Sequence, residues 1–418
     1  MRVEPATPPL PYPLQGIKVL DLSRVLAGPW SGQLLADYGA DVIKVERPGT
    51  GDDTRAWGPP FAADENGKSL PLESAYYLSV NRGKRSIALD ITTTMGQEVI
   101  RDLARRSDIL IENYKVGGLA QYGLDYESLH ALNPRLIYCS ITGFGQTGPL
   151  AKRAGYDLMI QAMGGLMSIT GEPDSQPGGG PQKVGVAVVD ILTGVYAVSA
   201  VLAALHQRQS TGLGQHVDAA LFDVQLAMLA NQGSNYLVGG MVPQRIGTAH
   251  PNIVPYQRFA TKDGFLVLAV GTETQYATVC KIIGVPNLPQ EPRFSTNADR
   301  VQNRNELIPI FEIAFCQRDT SEWIQLLEQE NIPCAPVRDL EEVFADPQVA
   351  ARGMILESEH PEAGRIRTVA QPMKLSAASA QNNKVPPRLG EHTEEILREL
   401  GYDQTKIARI LGQRGILQ

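Results

Sequence analysis

One acid stands inside the most apolar stretch of this chain: Asp190 interrupts Val184–Leu205, VGVAVVDILTGVYAVSAVLAAL. A carboxylate in such surroundings must be paired, cap a helix, or do chemistry. The pattern predicts an extended Val184–Val189 and a helix over Ile191–Leu205, which puts Asp190 at or near the helix N-cap. Amides at a helix start stabilise the charged form of such an acid and lower its pKa. Two roles stay open on this reading. One is a buried cap. The other is a nucleophile, because an ionised, partly desolvated carboxylate beside oriented amides suits attack on an activated carbonyl. The stretch is long enough to span a bilayer, but a lone central acid in lipid is costly, so a core helix and no membrane partner are expected.

Cations gather at two places, Lys44 with Arg47, and Arg82, Lys84 and Arg85 in NRGKRS. Each group could form a phosphate pocket with loop amides, or simply a solvated surface. No G-x-G-x-x-G follows a strand, and neither G-x-x-x-x-G-K-[ST] nor G-x-S-x-G occurs. Ordinary dinucleotide, P-loop and α/β-hydrolase chemistry is therefore unsupported. Gly178-Gly179-Gly180 has no Lys-Ser/Thr after it and reads as a surface loop. Cys139, Cys280, Cys316 and Cys334 make no C-x-x-C pair, and the six histidines show no H-E-x-x-H or H-x-H spacing. That disfavours a metal site and a disulfide scaffold and fits a reducing compartment. With 38 Lys+Arg against 45 Asp+Glu, the formal charge is −7, which argues against a nucleic-acid partner. A 43 % apolar and 20 % charged composition describes a soluble globular enzyme.

These side chains need a scaffold, and 418 residues allow two or three domains. Ile17–Leu22, Asp41–Glu46, Ser86–Asp90, Asp108–Glu112 and Leu136–Ser140 read as strands. Helical spacing lies between them at Gln33–Tyr38 and Thr94–Arg106. That alternation predicts an α/β fold with an open parallel sheet. Ligands then sit beyond the carboxyl ends of the strands. Here those are the loops Ser23–Trp30, Glu46–Asp53, Glu112–Gly117 and Thr142–Gly148. Gln215–Leu237 reads as helical; Phe265–Val270 then opens a smaller α+β domain with helices at Asn303–Phe315 and Thr320–Glu330. Two short helices, Glu391–Glu399 and Gln404–Leu411, close the chain. Residues 1–13 hold an acid and five prolines. They read as an extended arm rather than a targeting signal, so the expected location is cytoplasmic, or the mitochondrial matrix for a truncated eukaryotic chain.

Several segments match a known family: Leu14–Trp30, Gly39–Arg55, Tyr76–Asp90, Glu112–Leu124, Ile141–Pro149, Gly155–Gly171, Thr211–Asp223, Asn331–Val337 and Leu389–Leu397. In these the chain resembles the family III CoA-transferases, the group of formyl-CoA transferase, carnitine CoA-transferase and 2-methylacyl-CoA racemase. It looks most like the succinyl-CoA-dependent dicarboxylate transferases. The resemblance implies a Rossmann-like domain over 1–225, a small α+β domain over 226–345, and a segment 346–418 that returns to the large domain. It also implies an interlocked homodimer. Asp190 would be the nucleophile, passing through a mixed anhydride and an aspartyl-CoA thioester. The partners would be an acyl-CoA donor, succinyl-CoA, and a dicarboxylate such as glutarate. Coenzyme A enters as substrate, with no tightly bound cofactor.

CoA contacts would fall on Val25, Arg47, Leu89, Asn113, Tyr114 and Gly118, with Arg47 on a phosphate. The acid substrate would meet Tyr156, Gly247, His250 and Arg153. Among loop cations, Arg55, Arg153, His250 and Arg258 are candidates to hold a distal carboxylate. Gln121 and Thr142 replace two basic residues of formyl-CoA transferase, and Lys115 or Lys152 could take over their grip. Leu26 replaces its active-site glutamine, and Gly247–Asn252 replaces its glycine-run loop, which argues against a formyl or oxalate enzyme. The racemase branch places a histidine where this chain has Tyr156. A phenol, with its pKa near 10, suits reversible α-proton abstraction poorly. That activity, and a catalytically silent CoA-binding subunit, are the competing readings.

Overall fold

The structure is a computed structural model, and it describes residues 11–412. The expected N-terminal arm lies outside the described residues up to residue 10. The chain divides into two compact units. The larger comprises Met1–Gly164, Gly185–Ala230 and Pro347–Gln418, and the smaller Gly165–Val184 and Asn231–Asp346. Residues 165–184, expected within the large domain, group with the smaller unit.

Six strands form the large unit's main sheet: β1 (Lys18–Asp21), β2 (Asp41–Glu46), β3 (Arg85–Ala88), β4 (Ile109–Glu112), β5 (Ile137–Thr142) and β6 (His216–Ala220). Their spatial order is 3-2-1-4-5-6, and every pairing is parallel. This is a Rossmann-like order, and it reverses between β1 and β4. The strands carry short apolar runs, such as Val19–Leu20 and Ile109–Ile111, because both faces of the sheet are covered. Alternate residues feed two cores. Val19, Ile109, Ile111, Ile137 and Cys139 join Leu35, Ala197 and Val201 on one face. Leu20, Leu110 and Tyr138 join Val99, Leu103, Ile396 and Ile407 on the other.

Most of the expected elements are present, with three corrections. The helix expected at Gln33–Tyr38 begins earlier, as α1 (Ala27–Asp37). Helix α2 (Thr94–Arg106) is as expected. Gln215–Leu237 is not one helical stretch: it opens with β6, and helices follow at Leu221–Met228 and Ala230–Gly239. His216–Ala220 takes strand form through its pairing with Tyr138–Thr142, a tertiary contact that outweighs local preference. Finally, the long apolar helix α3 starts at Val188 and runs to Thr211. By length and composition it could cross a membrane. In the structure Val189, Thr193, Ala197, Val201 and Ala204 on it are buried, and it packs against α1, β5 and β6.

Where α3 crosses α1, Gly194 allows direct backbone contact. A Cβ there would lie 2.8 Å from the Ala27 carbonyl and 3.0 Å from the Trp30 ring. The Ser31 hydroxyl donates to the Gly194 carbonyl at 3.1 Å.

The smaller unit holds a three-stranded antiparallel sheet of Tyr256–Ala260, Phe265–Ala269 and Cys334–Pro336. Phe259, Leu266, Phe311, Phe315 and Trp323 fill its core.

Candidate active site

At the reversal point between β1 and β4, the carboxyl ends of the strands open on a cavity of about 540 Å³. The expected CoA contacts Val25, Arg47, Leu89, Asn113, Tyr114 and Gly118 all line it, together with Arg153, Tyr156 and Asp190. Leu26, Gln121, Thr142, Lys115 and Lys152 are on its wall as well. Among the described residues, Arg47, Lys115 and Lys152 enter no ion pair, and all three are exposed. Three free cations at a parallel sheet's switch point suit a polyanionic ligand. Arg24 lies over the Tyr114 ring at 5.3 Å and pairs with Asp53 at 3.3 Å.

Asp190 sits in the first turn of α3, three residues past the N-cap Ala187, rather than at the cap itself. The cap is supplied from elsewhere. Asp157, on the first turn of helix Asp157–Met163, accepts from the Val189 amide at 2.9 Å and the Asp190 amide at 3.3 Å. The expectation that helix amides depress the Asp190 pKa is therefore overturned. Burial, and after it the like charge of Asp157, push the Asp190 carboxyl up to about 7. Were Asp190 to act as a nucleophile it would have to be ionised, and activity would then fall as pH drops through about 7. Asp157→Asn removes the like charge yet keeps an acceptor for the two amides. It should move the acid limb of the kcat/KM profile to lower pH, still above the ordinary aspartate range because burial remains. A pH profile of wild type and variant checks this, and an unmoved limb would remove Asp157 from the account.

Asp157 is not singled out by the sequence reading, because its contact with the Val189 and Asp190 amides is made only by the fold. Its signal was an acid at the start of a short helix, close to a glycine turn. Tyr76 was missed too. Its phenol is raised to about 12 by burial and then by Asp190, Asp157 and Asp52, so it stays neutral near those carboxylates. Its ring meets Trp57 edge-on at 5.3 Å. Glu112 is buried outside the cavity lining; burial raises its carboxyl to about 7 against the hydrogen bonds from Ser140 and the Tyr114 amide.

The two basic clusters fit neither expectation fully. Arg47 faces the cavity and Lys44 is on its wall, whereas Arg82 and Lys84 are away from it; Lys44, Arg82 and Lys84 are all buried in ion pairs. Lys44 pairs with Asp52 at 2.8 Å, Arg82 with Asp37 at 2.7 Å, and Lys84 with Asp21 at 2.9 Å. Arg85 bridges Asp41, Glu395 and Glu399. Arg55 cannot hold a substrate carboxylate. It is fully buried between Glu46 at 2.7 Å and Glu73 at 3.1 Å, stacked on Tyr77.

Gly247, His250 and Arg258 belong to the smaller unit and do not line this cavity. His250 stacks on Tyr256 at 5.2 Å, and its Nδ1 accepts from the Asn252 amide at 3.1 Å. Gly247 adopts φ 63°, and Arg258 lies over Phe265 with Glu172 3.9 Å away. On the larger unit, Arg153 is exposed with its guanidinium 5.8 Å from the Phe144 ring, and Tyr156 is the N-cap of its helix.

The loop that leads from β1 into α1 carries the chain's most strained residue at the site. Val25 adopts φ 72°, a left-handed value that β-branched residues avoid, at a cost of ~1–3 kcal/mol.

Residues 14–393 match the model of CoA-transferase family III. The chain belongs to that family and is an enzyme that transfers CoA. It is 51 % identical over 388 residues to the succinate–glutarate CoA-transferase of Agrobacterium fabrum, covering 93 % of this chain and 96 % of that one. The human succinyl-CoA:glutarate CoA-transferase is 47 % identical over 400 residues, covering 96 % and 89 %. Among solved structures, a CAIB/BAIF family protein from Brucella suis superimposes with a TM-score of 0.82 at 48 % identity, covering 93 % of this chain and all of the other.

Proposed function

We propose that this enzyme moves CoA from succinyl-CoA to glutarate, with Asp190 as the covalent nucleophile. One observation carries the reading: a partly buried carboxylate and three unpaired cations share a single cavity at the sheet's switch point. The names of the relatives at 47–51 % identity support the choice of substrates.

Arg47, Lys115 and Lys152 hold the phosphates of the CoA, and Asn113 and Tyr114 line the path of its pantetheine and adenine. The Asp190 carboxylate attacks the thioester carbonyl of succinyl-CoA, and the C–S bond breaks to leave a mixed anhydride and CoA thiolate. The thiolate attacks the aspartyl carbonyl, which expels succinate and leaves an aspartyl-CoA thioester. Glutarate opens this thioester to a second anhydride, releasing the thiolate again. Attack of that thiolate on the glutaryl carbonyl forms glutaryl-CoA and restores the Asp190 carboxylate. No proton needs to be gained or lost by the enzyme, which is consistent with the lack of a histidine base on the cavity wall.

The protein acts as an interlocked homodimer in the cytoplasm on this reading. Large exposed apolar residues support the dimer: Leu237, Val238, Met241 and Val242 in the smaller unit, and Tyr196 and Leu226 in the larger.

Incubating the purified enzyme with succinyl-CoA and a panel of carboxylic acids, with mass spectrometry of the CoA products, tests the assignment. Glutaryl-CoA should dominate. Equal yields from acetate and glutarate would remove the distal-carboxylate contact, and no exchange with any dicarboxylate would overturn the reading.

A further inference from the structure

The strained segment Ser23–Val25 is gripped by side chains from three directions. Asn113 clasps Arg24 on both sides, its Oδ1 accepting from the Arg24 amide at 2.9 Å and its Nδ2 donating to the Arg24 carbonyl at 2.6 Å. From beneath, the Lys44 ammonium donates to the Ser23 carbonyl at 2.8 Å. The same ammonium pairs at 2.8 Å with Asp52, whose carboxylate accepts from the Val25 amide at 3.2 and 3.3 Å. Asp52 is itself fixed by the Thr54 amide at 3.0 Å and the Thr54 hydroxyl at 2.8 Å.

Lys44 and Asp52 have fully buried side chains. Both stand on the wall of the cavity, yet each spends its polar atoms on neighbours in the protein. A buried ion pair is also a poor device for stability alone, since well-packed apolar residues often serve as well. What this pair does that apolar residues could not do is hold two peptide groups, one on either side of Arg24, the second of which leads directly into the left-handed Val25.

We propose that Lys44 and Asp52 are positioning residues for acyl-CoA binding: their ion pair fixes the two peptide groups that flank Arg24, and by anchoring the Val25 amide ahead of the start of α1 it keeps the chain in the turn that needs Val25 left-handed, so that the β1–α1 loop presents a preset wall to the ligand. The proposal rests on the acyl-CoA reading of the cavity. Such preorganisation raises affinity by removing an ordering cost at binding. Its loss should therefore appear in KM for the acyl-CoA and in the Kd for CoA rather than in kcat, because the interaction is made equally in ground and transition states.

The test uses the full-length enzyme and glycine's freedom at positive φ. Lys44→Met/Asp52→Asn removes both charges together, so no lone buried charge is left. It should raise KM for succinyl-CoA and Kd for CoA by about tenfold with kcat held within about twofold. Adding Val25→Gly should recover most of the lost affinity, because glycine reaches the left-handed form without being held there. A purely structural role would lower the melting temperature, leave KM unchanged and show no rescue. If the double variant does not fold, Asp52→Asn with and without Val25→Gly carries the same comparison, since asparagine keeps the shape and one acceptor. Unchanged KM and Kd in a folded variant, or a loss that Val25→Gly does not relieve, would overturn the positioning role. A wild-type enzyme that binds no CoA would overturn the site assignment itself, and the proposal with it.

Discussion

Asp190→Asn should abolish CoA transfer, lowering kcat by at least ~10³-fold, while CoA still binds with its wild-type Kd. The two halves of that expectation come from different parts of the structure. An amide of the same shape cannot form the anhydride, so the covalent route is closed. Binding, on the proposed reading, rests instead on Arg47, Lys115, Lys152, Asn113 and Tyr114, none of which touches Asp190 through a hydrogen bond or ion pair. The helix turn is also preserved, because the amides of Val189 and residue 190 are capped by Asp157 rather than by the Asp190 side chain. Steady-state transfer assays and calorimetric CoA titration read the two quantities separately. In the wild type, succinyl-CoA followed by hydroxylamine should leave a hydroxamate on the peptide containing residue 190, and the variant should leave none. Exchange at an undiminished rate in the variant would sink the covalent mechanism.

The second large effect should be on stability. Lys84→Met should destabilise the folded enzyme by about 3–5 kcal/mol, because it strands one partner of a buried ion pair. Lys84 has all three of its donors in use at 2.9 Å, on Asp21, the Pro29 carbonyl and Asn81. Removing it leaves the fully buried Asp21 with Lys44 and the Ser23 hydrogen bonds to offset its charge, and takes a donor from the Pro29 carbonyl and the Asn81 side-chain oxygen. Burial, and the like charge of Lys44, draw the Lys84 ammonium down to about 8 against the attraction of Asp21. The folded state therefore binds fewer protons than the unfolded one between about 8 and the ordinary lysine value. Stability from this group accordingly rises with pH across that window. Asp21→Asn/Lys84→Met should regain much of the loss, since no lone charge remains. Urea unfolding of the two variants measures the difference, and equal midpoints for Lys84→Met and wild type would show that the pair contributes nothing.

Much of this architecture could be read from the sequence. The strands at Asp41–Glu46 and Ile109–Glu112 were visible because a sheet covered on both faces writes itself as short apolar runs between turn residues. From those runs followed the loops at their carboxyl ends, and hence the wall of the cavity. β6 was hidden because His216–Ala220 has no such run; its strand form depends on the neighbour that pairs with it. Charge was the least legible property. Lys44, Arg55 and Lys84 look in sequence like the cations of a binding site. Their partners, Asp52, Glu46 and Asp21, are brought to them by the fold, and pairing takes them away from the ligand. The same blindness reversed the sign of the Asp190 shift. A local view sees helix amides beside an acid, and only the fold shows that a second acid has reached those amides first.

The contact at Gly194 bears on how such an enzyme can diverge. Four residues after Asp190, the helix that carries this acid rests at Gly194 against the Ala27 carbonyl in the first turn of the helix that follows the Val25 loop, flanked by the Trp30 ring and the Ser31 hydroxyl. The spacing between the attacking oxygen and the CoA-facing loop is thus a dimension of the backbone, set as in a jig. On the proposed mechanism, anhydride and thioester chemistry is the same for every acid accepted, and it needs that dimension to stay constant. The size and charge of the acid can then vary through side chains elsewhere on the wall, so acceptor preference can drift while the reacting distance does not.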